Sequence, residues 1–321
     1  PWVWRTCSAA AAVHSVAVMA DVERQFVNAR RADPTGPGRD LRYIPSSVSD
    51  GEILTADETD RYNRQGFLEP RQVLPASDAV DLRGYFDDLL EQVLAADDNR
   101  NSYSINTYHV VCERLHDLVT DPRITALAAD LLGDEIVCWG SHLFAKLPND
   151  GKEVPFHQDA VYWPMTPSRS VSVWLAIDDV DEENAAMRFI PGSHLDGALH
   201  HHLRDLDGSR VLGQEVDSQE LEGRPQYMNA MPAGYASLHS DMLLHGSAAN
   251  TSMRRRAGLT LRYVGADVRL LDGYDYWRKS AVHVRGGDPS DFWYNRRRPD
   301  GEHPEKMAQL WGEFDGQPMD D

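Results

Sequence analysis

Three side chains in this sequence have the chemistry of metal ligands. His157 and Asp159 flank a single residue in Phe156-His157-Gln158-Asp159, and His245 lies far downstream. Alternate residues of a strand point to one face, so in the β-rich run from Val154 to Trp163 the imidazole and the carboxylate are expected side by side. A second imidazole from a distant strand then completes three ligands on one side of an ion. That is the facial arrangement of a non-haem Fe(II) oxygenase, which leaves the other positions open for a cosubstrate and O2. Arg256, further on, reads as a clamp for the far carboxylate of 2-oxoglutarate, because a guanidinium grips a carboxylate through two charge-assisted hydrogen bonds.

Rival readings are weighed on the same chemistry. His239-Ser240-Asp241 is a second His-x-Asp with His245 close behind. On one strand residues 239 and 245 would lie roughly 20 Å apart at ~3.3 Å per residue. Ligands must sit within ~2–2.3 Å of the ion, so His157, Asp159 and His245 are preferred and His239 is read as a core residue or an outer neighbour. His200-His201-His202 reads as an exposed loop cluster. Two His and a carboxylate also suit Zn²⁺ hydrolysis, but no His-Glu-x-x-His supplies the general base. A non-catalytic β-barrel binding protein is disfavoured by the presence of all three ligands and the Arg.

The elements that must position these groups follow from pattern. Thr55-Ala56-Asp57-Glu58 is a capping box whose helix should stop at Gly66. A second helix is expected from Ser77, with Val80, Tyr85, Leu89 and Val93 on its apolar stripe. A third begins at Asp121-Pro122 and stops at Gly133. After residue 134 come short β-rich runs at 135–147, 154–163, 169–179, 186–190, 236–246 and 258–268. Strands at this spacing, with helices gathered ahead of them, predict a mainly β fold: an antiparallel double-sheet barrel backed by helices. Within Gly140 to Lys146, alternation puts Gly140, His142, Phe144 and Lys146 on one face. Residues 195–232 lack periodicity and are expected to be a lid or substrate-contacting insertion. Residues 30–50 read as a linker or mobile arm, with order beginning near Leu54. The domain reading is an N-terminal extension over 1–50 and one barrel domain over 51–321.

Composition sets the outer limits. Of 321 residues, 41% are hydrophobic, enough for a substantial core, and the formal net charge is −19. Nucleic acid and anionic membranes reward basic surfaces, so neither is an expected partner. No run approaches the ~18 apolar residues of a membrane span. Cys7, Cys112 and Cys138 are too few and too scattered for a disulfide framework, which fits a reduced, cytoplasmic protein. Monomer and homodimer are both compatible with the sequence. Pro1 to Ala20 faintly suggests a signal peptide behind Arg5, but His14 and Ser15 interrupt it. Met19 is read as the natural start.

These residues and their surroundings resemble the phytanoyl-CoA dioxygenase family of Fe(II)/2-oxoglutarate enzymes. The resemblance runs from about residue 52 to 285. It rests on Leu54-Thr55-Ala56 with Asn63-x-x-Gly66-Phe67, on His157-Gln158-Asp159, and on Val173-Trp174-Leu175-Ala176-Ile177-Asp178-Asp179. It also takes in Phe189-Ile190-Pro191-Gly192-Ser193-His194 and His245-Gly246-Ser247 with Asn250 and Arg256. It implies a double-stranded β-helix (jelly-roll, cupin-like) and hydroxylation of a small metabolite, with 2-oxoglutarate decarboxylated to succinate. Carried over, His157, Asp159 and His245 would bind iron. Arg256 and Ser247 would hold the cosubstrate carboxylate, and Trp174 would line its pocket. His142, Phe144 and Trp163 are candidate substrate contacts, and His194 is read as structural. Desaturation, epoxidation and ring formation share the chemistry. Halogenation is disfavoured because Asp159 occupies the position a halide would need. Asn184-Ala185 replaces the family's Asn-Gly, and since Ala tolerates positive φ poorly this turn is expected to be rebuilt.

Overall fold

Helix signals in the first third of the chain translate directly into structure. The computed structural model describes residues 39–48, 51–96, 98, 100–204, 208–287 and 291–314. α1 (Ala56–Gln65) starts on the Thr55–Glu58 capping box and ends where Gly66 turns left-handed at φ +83°. β1 (Phe67–Gln72) and α2 (Ala76–Ala95) follow. The buried stripe of α2 is Ala79, Leu82, Phe86, Leu89, Leu90 and Val93; Leu89 and Val93 are buried as expected and Tyr85 packs against the same core, but Val80 is 73% exposed. Residues 79, 82, 86, 89, 90 and 93 follow 3.6-residue spacing, and Val80 falls just past its edge. β2 (Ile105–Asn106) and α3 (Glu113–Val119) lead to α4 (Pro122–Leu132), which carries the expected Asp121 cap and stops at Gly133.

The regular structure of the remaining described residues is mostly strand. In order come β3 (Ile136–Lys146), β4 (Val154–His157), the one-turn α5 (Asp159–Tyr162), β5 (Met165–Thr166), β6 (Ser170–Ala176) and β7 (Arg188–Phe189). Next are β8 (His201–Leu203), β9 (Gln214–Val216), β10 (Tyr227–Met228), β11 (Tyr235–Ser240), β12 (His245–Ser247) and β13 (Arg256–Gly265). β14 (Arg269–Leu270), β15 (Val282–Arg285) and α6 (Met307–Phe314) follow among the described residues. The larger sheet has the order β1-β11-β6-β13-β3-β15, with β2 also on β3, and the smaller has β10-β7-β12-β4. Every pairing between these strands is antiparallel. This is the expected jelly-roll of two facing sheets.

The larger sheet divides its faces by alternation, interrupted by one bulge in β3 where Arg262 pairs with Gly140 and Tyr263 with Cys138. Val171, Val173, Leu175, Leu143, Leu259 and Leu261 pack in one core with Leu82, Phe86 and Leu89 of α2 and Ile124 and Leu127 of α4. At roughly 1.5–3 kcal/mol for each large apolar side chain buried, this layer anchors the barrel. The alternate residues, among them His142, Trp174, Thr260 and Arg262, face a cavity between the sheets. Among the described residues no helix is long and apolar enough to cross a membrane.

Five expectations need correction. The run 236–246 is two strands, because the chain turns at Asp241–Leu244 and passes from the larger sheet to the smaller. The run 154–163 is a strand only as far as His157. The segment 195–232 contains β8, β9 and β10, each too short to show period two. Residues 39–48, read as part of a mobile arm, are bonded to the barrel: Arg39 donates to the carbonyls of Ala160 and Trp163 at 2.7 and 2.5 Å, and Ser168 N donates to Asp40 O at 2.9 Å. Residues 30–38 and the segment before Met19 lie outside the described residues. Finally, the Asn184-Ala185 turn is not rebuilt, since Ala185 takes φ +66° itself, a conformation that costs about 1–2 kcal/mol for a residue with a Cβ.

Candidate metal and cosubstrate site

The two distant histidines meet because their strands pair. β12 lies antiparallel to β4 with His245 directly opposite His157, and the ring centroids are 4.3 Å apart. Each ring is held by its own backbone. His157 Nδ1 is 2.8 Å from Pro155 O and His245 Nδ1 is 2.9 Å from Leu243 O. A carbonyl accepts only, so both rings carry the proton on Nδ1 and present a bare Nε2, the tautomer a metal requires.

Asp159 arrives by a route the alternation argument did not foresee. It is the first residue of α5, and the turn of the helix rather than a strand aims its carboxylate. Oδ1 lies 3.5 Å from His157 Nε2 and 3.9 Å from His245 Nε2. One ligand atom from each of the three residues falls within 4.8 Å of the others. Burial pushes the Asp159 carboxyl up, but the positive charge around it, the Arg262 guanidinium included, outweighs burial and holds it below its ordinary range. It is therefore a carboxylate at neutral pH.

Gln158, between the two ligands, is a rivet. Its amide donates to Gly197 O at 2.9 Å and Met242 O at 2.8 Å, and accepts from Leu199 N at 2.8 Å. Met242 belongs to the corner that delivers His245, so one buried side chain ties both ligand-bearing segments together. Its backbone N–H donates to His201 Nε2 at 3.1 Å. His201 is thus half-buried beside His157 rather than part of an exposed cluster, while His202 pairs with Asp217 at 2.7 Å.

His239 is also here. Its Nε2 is 4.0 Å from Asp159 Oδ2, and its ring centroid is 4.9 Å from that of His245. The argument that 239 and 245 must lie about 20 Å apart assumed one straight strand. The bend at Asp241–Leu244 removes that assumption and makes His239 a buried outer neighbour of the triad.

Arg256 opens β13 at the far end of the same cavity and is 2% exposed. No hydrogen bond or ion pair engages its guanidinium among the described residues, and its Nε is buried without a partner. Burial pushes its pKa down to about 10. The rings of Trp174 and Phe144 lie 5.0 and 6.0 Å from its Cζ. Its neighbours are committed elsewhere: Arg254 pairs with Asp181 on the surface and Arg255 with Asp178 and Asp87. Ser247 Oγ is likewise buried without a partner. A buried cation with no counter-charge beside an unserved hydroxyl suits an anionic ligand. Lys146 braces this end, donating to the carbonyls of Lys152, Ser247 and Ala248.

Trp174 lines the cavity, and Gly258 is what admits it: a Cβ on Gly258 would come within 2.1 Å of the indole. His142 and Phe144 also line it, with His142 Nε2 donating to Tyr103 O at 2.7 Å. Trp163 stands one layer back, its ring 5.4 Å from Arg262 Cζ. His194 is buried away from the triad with Nε2 3.0 Å from Asn63 O. Arg262, absent from the sequence reading, lines the cavity too; its alternation with Arg256 on one strand was the available signal.

Known proteins with these features are specific. The family model for phytanoyl-CoA dioxygenase (PhyH) matches residues 62–258. A probable alpha-ketoglutarate-dependent hypophosphite dioxygenase of Stutzerimonas stutzeri is 29% identical over 167 residues, covering 51% of this chain and 58% of that protein. The chain thus spans little more than half the length of that relative. L-Proline trans-4-hydroxylase of Streptomyces griseoviridis is 27% identical over 229 residues, covering 63% of this chain and 84% of the relative. Among solved structures, the non-haem monooxygenase ThoJ in its apo form aligns with a TM-score of 0.66 at 26% identity, covering 79% of this chain and 93% of ThoJ.

Proposed function

The chain belongs to the phytanoyl-CoA dioxygenase (PhyH) family, and on that premise we propose that it is an Fe(II)/2-oxoglutarate-dependent dioxygenase. Its reaction is hydroxylation of an unactivated C–H bond in a small metabolite or biosynthetic intermediate, with 2-oxoglutarate decarboxylated to succinate and CO2. A relative named as a proline hydroxylase supports that outcome over the other oxidations of the family. The observation that carries the reading is the pairing of three converging ligand atoms with an orphaned Arg256 in one cavity.

His157, Asp159 and His245 hold the iron in this reading. When bound, the iron supplies O2 activation and oxidation of the cosubstrate. The protein's part is to position. The Nδ1–H bonds to Pro155 and Leu243 keep both Nε2 lone pairs aimed at one point. Arg256 and Ser247 bind the far carboxylate of 2-oxoglutarate, and Trp174 and Phe144 exclude water from that contact. Residues 51–321 act as one barrel domain, with the segment near 195–232 beside the site. The buried free thiols of Cys112 and Cys138 support a cytoplasmic location.

The test is anaerobic titration of metal-free protein with Fe(II), followed by 2-oxoglutarate. Asp159→Ala should lose Fe(II) affinity and substrate-dependent succinate formation, since the ion loses its only charged ligand. Undiminished Fe(II) binding in that variant sinks the assignment.

A further inference from the structure

Arg262 helps to keep Asp159 ionised, but the reading above gives no ligand to its guanidinium or to the space beside it. Its cross-strand neighbours form one row on the cavity face: Gly140 on β3, Arg262 on β13, Ser172 on β6 and His239 on β11. The fold leaves polar atoms in this row unserved. Arg262 Nε, Ser172 Oγ and His239 Nδ1 are all buried without a hydrogen-bond partner among the described residues. At the other end, Gly140 is buried, yet a Cβ built on it would meet nothing within 4 Å. The missing side chain therefore leaves an internal space next to the guanidinium.

The cation itself is held for use. The rings of Trp139 and Trp163 lie 5.5 and 5.4 Å from Arg262 Cζ. The two ring centroids are only 4.9 Å apart, so both indoles lie on one side of the guanidinium and leave its other N–H groups for an anion. Charge balance asks for one. With a ferrous ion and dianionic 2-oxoglutarate cancelling each other, the cavity holds Arg256 and Arg262 against Asp159 alone, a surplus of one positive charge. Leaving a buried charge uncompensated is costly.

We propose that the Gly140–Arg262–His239 row binds an oxyanion on the primary substrate, a carboxylate or a phosphonate-type acid, while Arg256 holds the cosubstrate at the opposite end. This rests on the Fe(II)/2-oxoglutarate reading. It narrows the substrate to an acid whose reacting carbon lies on the triad side of its anionic group.

The experiment is calorimetric binding of shape-matched probes that differ in charge: phenylacetate and benzylphosphonate against neutral phenylacetamide. It is run on protein loaded anaerobically with Fe(II) and 2-oxoglutarate, and again without metal. The wild type should prefer an anion by about tenfold or more, as a charge-assisted hydrogen bond implies. The preferred arm separates carboxylate from phosphonate. Arg262→Gln should erase the preference in the loaded and the metal-free protein alike, and Arg262→Lys should restore part of it. Gly140→Leu should fill the space and block both anions with the melting temperature retained, which covers the case of Arg262→Gln failing to fold. A wild type with no preference for the anion overturns the proposal. So does an Arg262→Gln protein that keeps the preference, or one that loses it only when metal is loaded, since Arg262 would then act through Asp159 alone. Should Asp159→Ala leave Fe(II) binding intact, the parent reading falls, but the metal-free comparison still decides this one.

Discussion

Arg256 illustrates how a single residue separates structural from functional burial. A guanidinium shielded from water with no carboxylate beside it is a net cost to the fold. Arg256→Met should therefore raise the melting temperature of the protein without cosubstrate. It should also lower 2-oxoglutarate affinity by about tenfold to a hundredfold, the worth of a charge-assisted contact. Thermal shift with and without 2-oxoglutarate reads both effects. An arginine that merely supported the barrel would lower the melting temperature instead. The histidines make a complementary point. Their residue types and the His-x-Asp spacing were legible, but the Nδ1–H bonds that decide which nitrogen faces the metal depend on backbone carbonyls of Pro155 and Leu243 that sequence does not place.

At the scale of elements, the site depends on how closely β4 and β12 approach. Gly246, next to His245, sits over β4: a Cβ there would lie 2.8 Å from Val154 O and 3.0 Å from Phe156 N. Backbone cannot swing aside as a side chain can. Gly246→Ala should push the strands apart, separate His157 from His245 and lower Fe(II) affinity more than tenfold, a loss of over about 1.4 kcal/mol. Metal titration checks this, and an unchanged affinity would mean that the pairing tolerates the displacement. The same scale holds the main misreading. An apolar run such as 236–246 looks continuous because both halves are buried strands. The turn at Asp241–Leu244 contains no Gly or Pro to announce the change of sheet. Asp159 was misplaced for a similar reason: four residues of helix carry too little periodicity to stand out from a β run.

Across the whole molecule, buried neutral histidines make the fold sensitive to acid. His109 lies in the core with its ring between Ser141 Oγ at 2.6 Å and Ser280 O at 2.8 Å. Burial pushes its pKa down to about 4, with His116 and Arg296 acting the same way. Because the folded value lies below the unfolded one near 6.5, the stabilisation is complete above about pH 6.5. It is lost as pH falls through about 4. The contribution is at most roughly 3 kcal/mol from this group. His142, His201 and His239 are depressed by burial too and add to the same slope, while Asp241, pushed up to about 7 by burial, opposes it. Urea unfolding at about pH 7.5 and about pH 5 should show a marked loss of stability, and His109→Gln should flatten the slope. Equal stability at the two values would contradict the burial of these rings in solution.

Sequence by itself proposed the ligand set and the clamp residue, and it determined the capped helices and the two-sheet architecture. Each of these is written locally, in residue type, in capping chemistry, or in the two-residue and 3.6-residue periods. Only the tertiary structure decided that 236–246 splits between sheets, that His239 stands beside Asp159, that residues 39–48 brace α5, and that Arg262 faces a space left by Gly140. Those facts arise from contacts between segments more than a hundred residues apart or from the direction taken by a bend, and no local pattern encodes either.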